Sequence, residues 1–302
     1  MRPTTADWVR GEMWAQKFRG TLTEFLAGTP LCFNFADPPP PAPALSNPPG
    51  GWTLGMGGLG TYGWKYDAAI LAASVWSGAT FVDTAEGYGF GKTETALAYR
   101  HPSLKVATKV SRTHMRPGPV RAACDRSRGR LRMETLDLYQ IHWPHPEVPI
   151  EETMGAMADL QMAGKIHAIG VCNFSTRQLY AAQKALPHGV HIVSNQIRYN
   201  LLDRGAENYL IPYCQDSNVQ VLAYSPLGQD GRALLATPVL VDLSETLGLP
   251  PAVLALNWIR SKGVIPLPRT NHFAHAEENQ TVFPLSQDDV AYIEETFPIK
   301  ES

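Results

Sequence analysis

The sequence has few cysteines, little net charge and no long apolar run. Its four cysteines, among 302 residues, are widely spaced and form no CxxC pair, so neither a disulfide framework nor a zinc site is expected. The formal net charge is −2, and no lysine- and arginine-rich run suggests a nucleic-acid partner. The apolar runs are too short to cross a membrane. These absences indicate a globular protein with reduced thiols, expected in the cytoplasm, and nothing points to a protein partner.

The first fifty residues differ from the rest in composition. Apolar residues recur there at helical spacing, and a proline-rich stretch follows at 37–43. Prolines fix φ and lack an amide donor, so a stiff linker is expected. We therefore divide the chain into an N-terminal extension, residues 1–50, that is peripheral or poorly ordered, and a main domain, residues 51–302. Targeting of the extension to an organelle stays open, although its acidic residues are unusual for a transit peptide.

Beyond the extension, short runs of β-forming residues alternate with amphipathic helical patterns. Near-continuous apolar strands are typical of a parallel sheet that is buried on both faces. Eight such units predict an α/β fold, a closed (β/α)8 TIM barrel. The predicted strands are Thr53–Gly57, Thr80–Asp83, Leu104–Lys109, Leu136–His142, His167–Cys172, His191–Gln196, Val219–Tyr224 and Val264–Leu267.

Local end signals support several of the helices. Ser175 and Gln178 have the spacing of a capping box, which predicts that a helix begins there. The segment 285–289 predicts the start of the last helix. Gly78 and Gly164 stand where glycine ends helices in a left-handed conformation.

Four ionisable side chains fall at or just after the carboxyl ends of predicted strands two to four. Asp83 ends the second strand, Lys109 the third and His142 the fourth, while Tyr88 lies on the loop after the second. In a TIM barrel this end of the strands forms the active-site face. Each residue alone has a structural explanation, such as a helix cap, a solvated lysine or half-buried packing. Their concentration on successive strand ends favours an active site.

Motifs around these residues resemble those of the aldo-keto reductase family. They occur in family order from about Gly51 to Asn279, and the series is far more specific than any single motif. The matching segments are Asp83–Tyr88, Ala107–Lys109, Asp137–Pro144, Gly164–Ile166, Ile169–Ser175, Asn195–Gln196, Ala223–Gly228, Ile265–Thr270 and Glu278–Asn279.

The resemblance implies NADPH-dependent reduction of a small aldehyde or ketone to an alcohol, without a metal. Tyr88 would be the general acid that protonates the carbonyl oxygen. A free phenol, with a pKa of about 10, is a poor acid at neutral pH. Lys109 beside it would lower that pKa, and Asp83 would anchor Lys109 by an ion pair. His142 would hydrogen-bond the substrate carbonyl and orient it.

The resemblance also implies a set of cofactor contacts. Asn173 and Gln196 would hydrogen-bond the nicotinamide carboxamide, and Tyr224 would stack on the ring. Phosphates are expected after strands seven and eight. Arg269 is the candidate for a 2′-phosphate contact, because its planar fork suits phosphate oxygens. The other positions implied for the cofactor are Ser225, Leu227, Thr270, His275, Glu278 and Asn279.

Several positions depart from the family pattern. Cys172 stands where serine is usual beside Asn173, and a thiol is a weak hydrogen-bonding group, so one carboxamide contact would be weakened. His275 replaces the arginine or glutamine that is common near the adenosine phosphate, so NADH stays possible as cofactor. The long C-terminal loop that narrows the substrate pocket in many members is not evident. Tyr62 and Trp143 are candidate pocket residues, although either could instead pack in the core.

A competing motif lies in the stretch Gly55–Gly60, which matches the GxGxxG fingerprint of a Rossmann fold. Asp83 follows at the distance expected for a ribose contact. The context disagrees, because the preceding β-forming run is very short and the helical pattern begins near Asp67 instead of at the third glycine. We predict that these glycines shape the first barrel strand and its loop.

Two functions therefore remain, and the carbonyl reductase is the one we predict. The alternative is a cofactor-binding regulatory or docking subunit, similar to the potassium-channel β subunits that share this fold. In that case the N-terminal extension would carry the function. Deletion of residues 1–47 separates the two, because a docking subunit would lose its partner without loss of any reductase activity.

Overall fold

The computed structural model of the chain describes residues 54–65, 67–229 and 231–299. The predicted extension, its linker and the start of the first predicted strand lie outside these ranges. Within them, no single helix is long and apolar enough to cross a membrane. One pair of consecutive helices, 238–247 and 251–261, meets the criteria of length and composition only when joined across a 97° bend.

Eight parallel strands lie side by side in chain order. The barrel closes where the amide of Gly60 donates to the carbonyl of Pro268 at 3.0 Å, which joins the first strand to the segment after the last. The (β/α)8 barrel predicted from the sequence is therefore confirmed. The strands are β1 (Gly58–Gly60), β2 (Phe81–Asp83), β3 (Lys105–Val110), β4 (Leu136–Ile141), β5 (Ile166–Cys172), β6 (Ile192–Arg198), β7 (Gln220–Tyr224) and β8 (Ile265–Pro266).

The first strand does not lie where the sequence predicted it. The prediction was Thr53–Gly57, but the residues that pair with β2 are Gly58–Gly60. A Cβ added to Gly58 would come 2.6 Å from Leu267 Cδ2, and one added to Gly60 would come 2.9 Å from the Leu267 carbonyl oxygen. Only glycine permits so close an approach to the residue that follows the eighth strand, whereas strand propensities favour β-branched residues, so the prediction placed the strand elsewhere.

The same contacts exclude the Rossmann interpretation of the GxGxxG motif. Its glycines close a barrel, and the first helix begins after Asp67, whose carboxylate accepts a hydrogen bond from the Ala69 amide at 2.8 Å. No helix starts at the third glycine, so the motif lacks the helix N-terminus that would bind a pyrophosphate. The prediction that these glycines shape the first strand is confirmed.

Helices follow the strands and cover the outside of the barrel. The capping box at Ser175 is present, and the last helix begins after Ser286 with a capping box of its own. Gly78 and Gly164 have positive φ values of 110° and 68°, as expected after a helix end. The helices are α1 (Ala68–Trp76), α2 (Lys92–Ala96), α3 (Pro117–Leu131), α4 (Ile150–Met162), α5 (Thr176–Lys184), α6 (Leu210–Asp216), α7 (Gly231–Leu235), α8 (Pro238–Leu247), α9 (Pro251–Ser261), α10 (Phe273–Glu278) and α11 (Gln287–Thr296).

The interior of the barrel changes from apolar to polar along the strands. Successive side chains of a strand point to opposite faces, so every second residue shares the inner face. On β3 the inner positions are Ala107 and then Lys109, and on β4 they are Leu138 and then Gln140. Ala107 and Leu138 belong to an apolar cluster with Leu54, whereas Lys109 and Gln140 are buried polar residues. This gradient places the polar side chains at the carboxyl end of the barrel.

Candidate active site

Lys109 is the centre of a polar cluster inside the barrel. Its buried ammonium donates three hydrogen bonds, to Asp83 Oδ2 at 2.6 Å, to the Thr84 carbonyl at 2.8 Å and to Tyr88 Oη at 3.3 Å. An ammonium has three protons, so each is accounted for. Burial lowers the pKa of Lys109, but Asp83, together with Tyr88 and Cys172, raises it above its ordinary value, so the residue stays positively charged. A permanent cation therefore lies beside the phenol.

The Asp83 carboxylate is held on both oxygens. Oδ2 accepts from Lys109, while Oδ1 accepts from Gln196 Nε2 at 2.7 Å and from Gln140 Nε2 at 3.2 Å. Asp83 is only 3% exposed, and a buried carboxylate needs such donors to remain ionised. The sequence interpretation assigned no role to Gln140. The sequence feature that could have identified Gln140 is a single amide side chain on the inner face of an otherwise apolar strand.

The loop that carries Tyr88 is fixed by Glu86. The carboxylate of Glu86 accepts from the Ser111 amide at 2.7 Å and contacts His114 Nδ1 at 2.8 Å. Beyond Tyr88, Gly89 has a positive φ of 57° in a short 3-10 turn. The loop thus changes direction directly after the tyrosine, and a side chain two residues earlier ties it to the loop after β3. Like Gln140, Glu86 is a contact residue of this site to which the sequence interpretation assigned no role.

Tyr88 is surrounded by two aromatic rings. Tyr62 approaches edge-on at 5.3 Å between ring centroids and His142 does so at 5.8 Å. Burial of the phenol raises the pKa of Tyr88 to about 12, and Lys109 opposes this by lowering it. The expected effect of Lys109 is present, but the expected net lowering of the pKa is wrong, because burial outweighs it. Within the described part of the chain, the Tyr88 hydroxyl donates to no protein acceptor.

His142 lies directly after β4, and its imidazole is neutral. Burial, together with the nearby charge of Lys109, lowers the pKa of His142 to about 3. A neutral imidazole carries one N–H donor, and its tautomer is set by the partner it meets. The backbone of His142 is fixed, since its amide donates to Val110 and its carbonyl accepts from Asn173 Nδ2 at 3.1 Å. Trp143, the next residue, is partly exposed.

The comparison with family models matches the description "Aldo/keto reductase family" over residues 49–297. The chain belongs to the aldo/keto reductase family. It is therefore an NAD(P)H-dependent oxidoreductase that reduces carbonyl groups.

Individual relatives agree with this assignment. Methylglyoxal reductase YeaE of Escherichia coli is 33% identical over 244 residues, which cover 78% of this chain and 85% of the relative. An aldo/keto reductase from Klebsiella pneumoniae, solved in complex with NADP and acetate, superposes with a TM-score of 0.73 at 30% identity, over 81% of this chain and 92% of that one. The thermostable aldo-keto reductase Tm1743, solved with the inhibitor epalrestat, gives 0.74 at 31% identity, over 83% and 98%.

In this aldo/keto reductase, three residues expected at the nicotinamide come from β5, β6 and β7. Asn173 follows β5 with a positive φ of 62°, and its Oδ1 accepts from Tyr224 Oη at 3.0 Å. Gln196 lies on β6, where its amide donates to Asp83. The thiol of Cys172 is buried and donates to Gln140 Oε1 at 3.6 Å, inside the barrel.

The residues expected at the phosphates and the adenosine lie beyond β7 and β8. Ser225 follows β7 with a positive φ of 49°, and Leu227 is partly exposed on the same loop. Arg269 is exposed after β8, and no described carboxylate pairs with it. The Thr270 hydroxyl accepts from the His272 amide at 2.9 Å, so it shapes the turn that leads into α10.

The last three expected positions lie on α10 or directly after it. His275 is exposed, with its ring edge-on to that of His272 at 5.3 Å. Glu278 is partly exposed and Asn279 is buried, and the carbonyl of Asn279 accepts from Arg260 at 2.8 Å. No hydrogen bond or ion pair joins these three residues to the Tyr88 cluster in the described part of the chain. They thus form a separate group on the segment after β8.

Proposed function

We propose that this protein reduces small aldehydes and ketones to alcohols with NADPH, and that Tyr88 is the general acid. The observation that carries the proposal is the double contact of Lys109, which bonds both to Asp83 and to the Tyr88 hydroxyl. The same ammonium is thus anchored by a carboxylate and donates to a titratable phenol at the mouth of the barrel. NADPH, when bound, supplies the hydride that reaches the carbonyl carbon.

The proton comes from Tyr88. Because Lys109 donates to Tyr88 Oη, the phenolic hydrogen is directed away from the lysine and is available to a substrate oxygen. With a pKa of about 12, Tyr88 keeps this proton throughout the neutral range. When the proton leaves, the neighbouring ammonium stabilises the phenolate by charge and by its hydrogen bond. A positioned acid of this kind contributes about 10²–10⁴-fold in rate.

His142 and Asp83 have different tasks. His142 is neutral and its ring faces the Tyr88 ring, so its N–H can donate to the same carbonyl oxygen and fix its position. Asp83 is enclosed beneath Lys109 and does not contact substrate. It keeps the lysine charged and in place, which makes it a positioning residue.

The residues at the strand ends fit the cofactor. Asn173 and Gln196 offer amide groups for the carboxamide, Tyr224 offers a ring for stacking, and the exposed Arg269 offers an unopposed guanidinium for a phosphate. Asn173 and Ser225 both hold the left-handed conformation at the ends of their strands, and non-glycine residues in this conformation cluster at functional sites. We assign Leu227, Thr270, His275, Glu278 and Asn279 to the adenosine side. NADPH is the cofactor. NADH stays possible as well, because the exposed His275 stands where an arginine or glutamine is common near the adenosine phosphate.

The substrate pocket is proposed to lie above Tyr88, between Tyr62 and Trp143. Tyr62 is 62% exposed and its ring contacts Tyr88, so an incoming substrate would meet it before reaching the phenol. The Escherichia coli relative is named for methylglyoxal, so small reactive aldehydes are the first substrates to examine.

The free cysteines Cys124, Cys172 and Cys214 are buried as thiols, which agrees with a reducing compartment such as the cytoplasm.

The test is a carbonyl panel followed by absorbance of the reduced cofactor, with NADPH and NADH in parallel. We expect methylglyoxal or a similar aldehyde to be reduced and NADPH to be preferred. Tyr88→Phe should lower kcat by at least about 10²-fold while NADPH still binds, because only the acidic proton is removed. Unchanged turnover in Tyr88→Phe would reject Tyr88 as the acid. Failure of the wild-type protein to oxidise NADPH with any member of the panel would reject the function.

A further inference from the structure

One oxygen of the buried Asp83 carboxylate has two amide donors. Gln196 Nε2 lies 2.7 Å and Gln140 Nε2 lies 3.2 Å from Oδ1, whereas Lys109 occupies Oδ2. A carboxylate only accepts hydrogen bonds, so the NH₂ group of each glutamine must face it. The proposed function uses Gln196 for the nicotinamide and leaves Gln140 without a role.

The barrel makes room for Gln140 and orients its amide. A Cβ added to Gly170 on the neighbouring strand would lie 2.9 Å from Gln140 Cγ and 2.5 Å from Ser194 Oγ, so β5 needs a glycine at this point. The thiol of Cys172 donates to Gln140 Oε1 at 3.6 Å. Burial raises the pKa of this thiol, so it remains a protonated donor. Gln140 is fully buried and is thus held at both ends of its amide.

We propose that Gln140 is a positioning residue that shares Asp83 with Gln196 and so allows Gln196 to engage the nicotinamide carboxamide. This inference rests on the proposed role of Gln196. Without Gln140, Gln196 would be the sole donor to Oδ1, and any turn of its amide toward the nicotinamide would leave that oxygen without a donor. Leaving a buried charged acceptor unpaired is costly. With Gln140 present, Oδ1 keeps a donor whatever Gln196 does.

The first test compares two probes, NADPH and adenosine 2′,5′-bisphosphate, which lacks the nicotinamide. Gln140→Met keeps the length of the side chain and removes the donor. We expect NADPH to bind about tenfold more weakly, equivalent to about 1.4 kcal/mol, while the affinity for the bisphosphate is unchanged. Gln215→Met, which removes an exposed glutamine that donates to the Lys262 carbonyl, is the matched control and should bind both probes normally. Unchanged NADPH affinity in Gln140→Met, or equal loss for both probes, would overturn the proposal.

The second test needs no cofactor. Urea unfolding of Gln140→Met, Gln196→Met and the double variant forms a double-mutant cycle. Each single variant leaves one donor on Oδ1, and the double variant leaves none, so the double loss should exceed the sum of the single losses. Additive losses would show that the two amides do not share Asp83. If wild-type protein binds no NADPH, the proposed function fails, but this cycle still decides whether Gln140 shares the carboxylate.

Discussion

Two neighbouring residues of β3 hold two buried acids on opposite sides of the barrel wall. Lys109 points inward and pairs with Asp83, which Gln140 and Gln196 also hold. Thr108 points outward and donates to Glu94 Oε1 at 2.6 Å. Both acids are almost completely enclosed. Burial and pairing alone therefore do not distinguish an active-site acid from a structural one.

The difference lies in where each network ends. On the outer side, Glu94 Oε2 accepts from Arg130 Nε at 2.6 Å, and the same guanidinium donates to Ser127. Every member of this outer hydrogen-bond network is a side chain for which we propose no part in the reaction. On the inner side, Lys109 donates its third hydrogen bond to the hydroxyl of Tyr88. The proton of that hydroxyl has no acceptor within the described residues. A hydroxyl without a protein acceptor at the mouth of the barrel, and not the buried ion pair, is therefore the feature that supports the catalytic role we propose for the inner network.

The largest effect is expected from Lys109→Met. It removes the cation that favours the phenolate and leaves Asp83 as an uncompensated buried charge. We expect kcat to fall by about 10²–10⁴-fold and unfolding to be easier by about 3–5 kcal/mol, measured by steady-state kinetics and urea denaturation. If Lys109→Met kept both its kcat and its stability, the inner network would not differ in function from the outer one, and the proposed role of Lys109 would be wrong.

Asp83→Asn should have the next largest effect, because it keeps the shape but removes the charge that holds Lys109 protonated. Burial would then lower the pKa of Lys109 without the main opposing charge. The proposed mechanism requires the ammonium, so we expect activity at low pH and its loss as pH rises through the lowered pKa. A pH–rate profile checks this. Wild-type protein should show no such loss over the same range, and a variant profile that matches it would contradict the anchoring role.

Arg130→Met is the outer counterpart of Lys109→Met and should affect stability alone. It leaves the enclosed Glu94 with Thr108 as its donor, so we expect a loss of about 1–3 kcal/mol in the free energy of unfolding. Since no contact of Tyr88 changes, kcat should remain close to that of the wild type. A large fall in kcat for correctly folded Arg130→Met would mean that the outer network also serves the reaction.

The last prediction concerns acid stability. His142 has its pKa lowered to about 3 in the folded protein, against about 6.5 when unfolded. Below about pH 6.5 the unfolded chain therefore binds a proton that the folded chain does not. This contribution to stability is complete above pH 6.5 and is lost progressively as pH falls toward 3. Urea midpoints from pH 7 to pH 4 should fall less steeply in His142→Phe than in the wild type, and parallel slopes would argue against a neutral His142.

Much of the fold was predictable, because the alternation of strands and helices is a local pattern. Seven of the predicted strands overlap the observed ones and lie within two residues of them at each end. The first strand was not predictable in the same way. Glycine has little intrinsic preference for strand, and the closed barrel leaves no space for a side chain at Gly58 or Gly60.

The sequence alone determined which chemical groups stand at the strand ends, since Asp83, Lys109 and His142 follow directly from strand order. The tertiary structure decided how they act on one another. Gln196 meets Asp83 across 113 residues of chain, and no local pattern encodes a contact that depends on barrel closure. The pKa of Tyr88 was likewise beyond the sequence, because it reflects a balance between burial and the charge of Lys109. That balance exists only once the surrounding side chains have excluded water.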